Sequence, residues 1–141
     1  MSVIKDLLIK LKEERPLAAE FLAIAGQYGD ALDNVVDISN EPSRVKALCE
    51  KNAEMYNCAY WKRWGHLLLF VITLARNQYF DSVKWEGAEE EWKRQHAKVY
   101  SHAGILIILS VIMIEYGNQA VDNVSLFLRE EAYTLHKEDK I

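Results

Sequence analysis

A chain of 141 residues that is half hydrophobic and 27% charged is too apolar to stay disordered, and six glycines with two prolines are too few turn residues for an all-β protein. The formal net charge of −4 argues against a protein whose work is neutralising nucleic-acid phosphates. The size suits one core, so a single helical domain over residues 1–141 is expected.

The elements follow from apolar spacing. Val3, Ile4, Leu7, Leu8 and Leu11 recur at helical intervals and predict a short amphipathic helix over 3–13, docked as a lid and ending before Pro16. Pro16 suits the first turn of a second helix over 17–36, with Leu17, Phe21, Leu22, Ala25, Tyr28 and Leu32 inward. Gly26 and Gly29 lie one turn apart there, either permitting close backbone approach or marking the helix end.

Residues 37–43 form the clearest break, with Ser39 or Asn40 as the N-cap and Pro42 in the next first turn. From Val45 through Tyr60 and Trp64 to Gln78 the apolar spacing continues without proline, predicting one long helix over 42–80 that bends at Gly65. Asp81-Ser82 then turns the chain. A second long helix is expected over 84–116, capped by Gly117-Asn118, and a last one over 119–136 with Val121, Val124, Leu128 and Leu135 inward. The fold expected is therefore all-α, an antiparallel bundle of about five helices built on a long central helical hairpin.

Two runs are strongly apolar: Leu67 to Ala75, and Ala103 to Ile114. A spanning helix needs about 20 such residues. Both runs are shorter and are closed by Arg76 and Glu115, so they read as segments buried all round in the core; the alternative is a membrane-interacting helical hairpin. The amino terminus interrupts its apolar residues with Lys5, Asp6 and Lys10, unlike a secretory signal, and Cys49 and Cys58 are too far apart along one helix to bridge. A reduced, cytoplasmic protein is expected. By segment, only residues 59–104 carry an excess of basic groups, seven against five acidic, and Glu89, Glu90 and Glu91 adjoin Lys93, Arg94 and Lys98, so no nucleic-acid partner is favoured.

Gln27-Tyr-Gly-Asp-Ala-Leu-Asp-Asn-Val-Val36 echoes Glu115-Tyr-Gly-Asn-Gln-Ala-Val-Asp-Asn-Val-Ser125. Either each is ordinary helix-exit and helix-entry chemistry, or the two acidic segments meet across a pseudo-twofold axis and line one site. Glu86-x-x-Glu89 followed by Glu115-Tyr-Gly-Asn118 resembles the carboxylate pattern with which the all-helical MazG-type nucleoside triphosphate pyrophosphohydrolases hold magnesium. It departs from that pattern at Asn118, where the family has Asp. The resemblance implies a magnesium-dependent hydrolase using Glu86, Glu89, Glu115 and Asp122, the metal activating water.

His66, His96, His102 and His136 are not spaced three or four apart, so no zinc or di-iron helix motif exists, and His66 beside Leu67 reads as a core histidine. The chain has no Gly-x-Ser-x-Gly, no phosphate-binding glycine loop ending in Lys, no Cys-x-x-Cys, and no His in reach of Arg76-Asn77 to make a helical ribonuclease signature. No catalytic residue and no cofactor is assigned. Trp61 and Trp64 on one arm of the hairpin and Trp85 and Trp92 on the other are expected to meet near its loop, as a core layer or as a surface for a partner. Tyr, Trp and Arg anchor interfaces, so Tyr60, Trp61, Arg63, Trp64, Trp85, Trp92 and Arg94 are the candidate contacts with a protein partner or a second copy. The functional expectation is an adaptor, inhibitor or self-assembling module.

Overall fold

The computed structural model describes the backbone of residues 3–139 and the side chains of residues 4–134. The fold is all-α. Among the described residues seven helices follow in chain order: α1 (Val3–Glu14), α2 (Pro16–Asp37), α3 (Pro42–Asn57), α4 (Ala59–Trp85), α5 (Glu91–Tyr100), α6 (Gly104–Tyr116) and α7 (Asn118–Asp139). Their contacts divide the chain into two compact units, residues 8–68 and residues 69–141 with 1–7; α1 and α4 each contribute to both.

In the first unit the closest pair is α2 with α3. Pro16 and Pro42 sit in the first turns of these helices, where their missing N–H costs no helical hydrogen bond. The N-cap of α3 is Glu41, not Ser39 or Asn40, and its carboxylate accepts from Ser43 Oγ and Arg44 Nε at 3.0 Å. Arg44 also donates to the carbonyl of Asn34, and Lys51 donates to Gln27 Oε1 at 2.9 Å, so the pair is tied beside its connecting turn and again at mid-length. The core contains Leu11, Ala18, Phe21, Leu22, Ile24, Ala25, Met55 and Tyr60.

The helix expected over 42–80 is two helices. Cys58 is extended (φ −73°, ψ 159°) and buried, and its Sγ donates to the carbonyl of Met55. No proline or glycine marks this break. Gly65 lies inside α4, and a Cβ there would come within 2.8 Å of the Trp61 indole; the glycine seats that ring one turn below. Gly26 and Gly29 also lie inside a helix, with open space beside both, so neither permits a close approach nor ends α2.

In the second unit α4 runs through Asp81-Ser82, and the turn falls instead at residues 86–90. Ser82 is buried inside the helix, its Oγ donating back to the carbonyl of Tyr79, a bond that competes with capping. The second long helix is also interrupted: Ser101 and Ala103 keep near-helical backbone angles, but bonds from His102 to Val99 and from Ile105 to His102 tighten the chain into a 3₁₀ turn. The closest pair in this unit is α6 with α7. Its core contains Ile72, Ala75, Ala97, Ala103, Ile105, Val111, Ile112 and Leu128. The main-chain N–H of Ile4 donates to Glu131 Oε2 at 2.9 Å, fixing the start of α1 to α7. The expected inward position Leu135, like His136, lies outside the described side chains.

Gly117 closes α6 as expected, its N–H reaching the carbonyl of Met113 with φ 89° and ψ 177°. That backbone is accessible to glycine and strained for any side chain. Gly117→Ala should lower stability by about 1–3 kcal/mol, read as a shift in the urea midpoint with unchanged slope. An unaltered midpoint would show that the α6–α7 corner relaxes freely.

The apolar run at 103–114 is not buried all round. Ile105, Val111 and Ile112 are buried, Leu106 to Ser110 are half-buried, and Met113 is exposed. Taken through the 3₁₀ turn, Glu91–Tyr116 is long and apolar enough to cross a membrane by length and composition, and 28% of its most apolar window is buried. Counting residues 103–114 alone understates its length, because Val99 to His102 continue it.

Candidate functional site

The four tryptophans form two groups, not one. Trp61 and Trp85 stand near opposite ends of α4, so no hairpin turn at its C-terminus brings them together. In the first group Tyr60 is buried, with its ring 5.5 Å from Phe21. Trp61 lies 6.3 Å from Phe21 and meets Tyr56 edge-on at 4.6 Å. Tyr60 therefore belongs to the core of its unit and is too covered to touch a partner, while Trp61 is half-buried at the edge of that core. Trp64 is half-buried, with the exposed Arg63 guanidinium 5.3 Å from its ring centroid. His66 is exposed and stacked near Trp64, not a core histidine.

The second group surrounds the turn into α5. Trp85 meets Trp92 edge-on at 5.4 Å and stacks on Tyr100 at 6.0 Å, and Lys93 Nζ lies within 6 Å of both indole centroids. Trp92 is 53% exposed, and His96 sits between it and Tyr100. His96 Nδ1 is 2.7 Å from the Trp92 carbonyl, which can only accept, so that nitrogen carries the proton. Arg94 is spent on structure, donating to the carbonyls of Ala88 and Glu89 at 2.6 Å and so fastening the turn.

Glu90 begins α5. Its carboxyl is held below the ordinary value of 4.5, first by its own backbone amide and then by the hydrogen bond and charge of Lys93, 3.3 Å away. A depressed carboxylate supports the helix start above the ordinary glutamate range and loses that support as pH falls through its lowered value. In an NMR titration the Glu90 midpoint should lie below 4.5 and move back towards it in Lys93→Met. A midpoint indifferent to Lys93 would refute the pairing.

The carboxylates of the pyrophosphohydrolase pattern are placed otherwise than the motif requires. Glu86 and Glu89 fall in the turn at 86–90, so they do not share a helix face. Among the described residues no group of three or more His, Cys, Asp and Glu stands close enough to hold a metal ion, and Glu115 and Asp122 complete no such set. The two echoed segments also differ. Tyr28-Gly29 is interior to α2, whereas Tyr116-Gly117 ends α6 with a positive φ, so identical letters adopt different backbones and no structural repeat links them.

What composition and periodicity did not single out is the outer face of α4. Leu68, Ile72, Ala75 and Ser82 are buried on one side of this helix. On the other, Leu67 is 47% exposed, Phe70 74% and Leu74 63%. These three recur at steps of three and four and form one stripe. Leu126 and Phe127 on α7 are also well exposed. The signal was present in the sequence as a helix apolar on every side, which reads equally as complete burial. Comparison with known protein families, characterised proteins and solved structures finds no match for this chain.

Proposed function

We propose that this protein acts by protein–protein interaction, burying the outer apolar face of α4 against another polypeptide. The observation that carries this reading is Phe70, among the described residues the most exposed of the large apolar side chains, on a helix whose opposite side is already packed. A soluble monomer gains nothing from such a stripe, and contiguous exposed apolar surface marks contact sites. Trp92 with Lys93, and Trp64 with Arg63, offer cation–aromatic anchors of the kind interfaces use. The free thiols of exposed Cys49 and buried Cys58 suit a reducing, cytoplasmic setting.

Phe70→Gln tests the reading, because it removes apolar surface without adding a charge. Unfolding free energy, measured at dilution where the chain is monomeric, should change by less than about 0.5 kcal/mol, while the apparent mass in size-exclusion chromatography at higher concentration falls. A loss of stability above about 2 kcal/mol would mean that Phe70 is covered within the chain itself.

A second reading rests on the sparse burial of the Glu91–Tyr116 window: this segment associates with a lipid surface. Flotation with phosphatidylcholine–phosphatidylglycerol vesicles, reduced by Met113→Glu, would support it; protein left at the bottom of the gradient would dismiss it.

A further inference from the structure

The stripe on α4 is longer than its apolar centre. Arg63, Leu67, Phe70, Leu74, Asn77 and Asp81 are all exposed and follow one another at steps of four, three, four, three and four, the spacing of a coiled-coil seam. The stripe lies on one helix, so its register follows from the helical repeat alone. The flanking positions on one side, His66, Thr73 and Phe80, are also exposed; those on the other, Trp64, Val71 and Gln78, are half-buried.

The ends of the seam carry opposite charge. Arg63 stands at its N-terminal end and Asp81 at its C-terminal end, symmetric about Ile72. We propose that the occupant of this face is a second copy of the chain, its α4 lying antiparallel across the first. In that register Phe70 packs on the partner's Leu74, Leu67 on the partner's Asn77, and Arg63 meets the partner's Asp81. Twofold symmetry forms each of these contacts twice. A parallel arrangement would set Arg63 against Arg63 and Asp81 against Asp81, and like charges across a seam reject that pairing. A membrane surface would find an arginine and an aspartate on the same line, and an acidic end is poorly suited to an anionic lipid face.

This inference rests on the interaction reading above and names its partner, and the test separates the two. Purified protein is weighed by sedimentation equilibrium over a wide concentration range, as wild type, Phe70→Glu, Arg63→Asp, Asp81→Arg and the Arg63→Asp/Asp81→Arg double variant. Circular dichroism confirms that each is folded. The wild type should form a dimer. Phe70→Glu should weaken it by at least roughly thirtyfold. Each single charge reversal should weaken it about tenfold, and the double reversal should restore it. Orientation is read by oxidation on a Cys49→Ser background. A mixture of His66→Cys and Phe80→Cys chains should yield the mixed disulfide, and neither chain alone should link.

A dimer insensitive to Phe70 and to both charges would overturn the α4 pairing while leaving the interaction reading intact. Single variants that each link to themselves would show a parallel pair and overturn it too. A monomer at every concentration overturns the pairing. If that monomer binds phosphatidylcholine–phosphatidylglycerol vesicles through Phe70, lipid covers the face, and the interaction reading falls with the pairing.

Discussion

Phe21→Ala should destabilise the protein by about 3–5 kcal/mol in urea unfolding, the largest effect expected of any single truncation in the first unit. Phe21 is fully buried on α2, and its ring has Tyr60 5.5 Å away and Trp61 6.3 Å away. Removing it takes apolar surface out of the core and leaves a cavity that two aromatic rings, held by α4, cannot collapse to fill. Trp61 reports the change directly. Its indole is confined between Tyr56, Phe21 and the bare backbone of Gly65, so its emission should shift to the red as water reaches it. The contrast is Phe70, the same residue type on α4, whose truncation to Ala should cost less than about 0.5 kcal/mol because it is already exposed. Equal losses at the two positions would show that the inner and outer faces of α4 are misassigned.

The corresponding position in the second unit is Leu128, fully buried on α7, where Leu128→Ala should cost about 2–5 kcal/mol. It belongs to the helix packed most closely on α6, where Val111 and Ile112 are buried as well. Leu126→Ala, two residues away on the exposed side of α7, should be nearly neutral. Chemical denaturation of the two variants side by side checks both values, and a neutral Leu128→Ala would remove α7 from the core.

Much of this fold was legible because helices announce themselves locally. Pro16 and Pro42 mark first turns, Gly117 marks an exit, and the apolar spacing of α1 and α2 needs no tertiary information. The breaks at Cys58 and at Ser101 to Ala103 were not legible, since neither contains a helix-breaking residue. Cys58 is held extended by its burial and its bond to Met55, features that exist only once the chain is packed. Gly29 misleads in the opposite sense: a glycine that reads as a helix end stays helical because α2 continues along α3 to Asp37.

The candidate site was legible as residue types and not as a place. Aromatic and arginine residues pointed to one place, the loop end of a hairpin, but Tyr60 and Trp61 are drawn inward by Phe21, and Arg94 is taken up by turn carbonyls. The outer face of α4 carries the same kinds of apolar side chain as its inner face. Leu67 and Leu68 are indistinguishable in a sequence, and only the packing of the unit decides which is covered. Glu86 and Glu89 do not share a helix, because α4 ends at Trp85, four residues short of Glu89, and α5 begins only at Glu91.

The most direct test of the outer face of α4 needs no substitution. Hydroxyl-radical footprinting of the native protein, read residue by residue over a series of concentrations, reports which side chains water reaches. Phe70, Leu67 and Leu74 should be oxidised readily in dilute solution and become protected as concentration rises, while Phe21 stays protected and Phe127 stays reactive throughout. A Phe70 that is protected at every dilution, or equally reactive at every concentration, would contradict the α4 pairing.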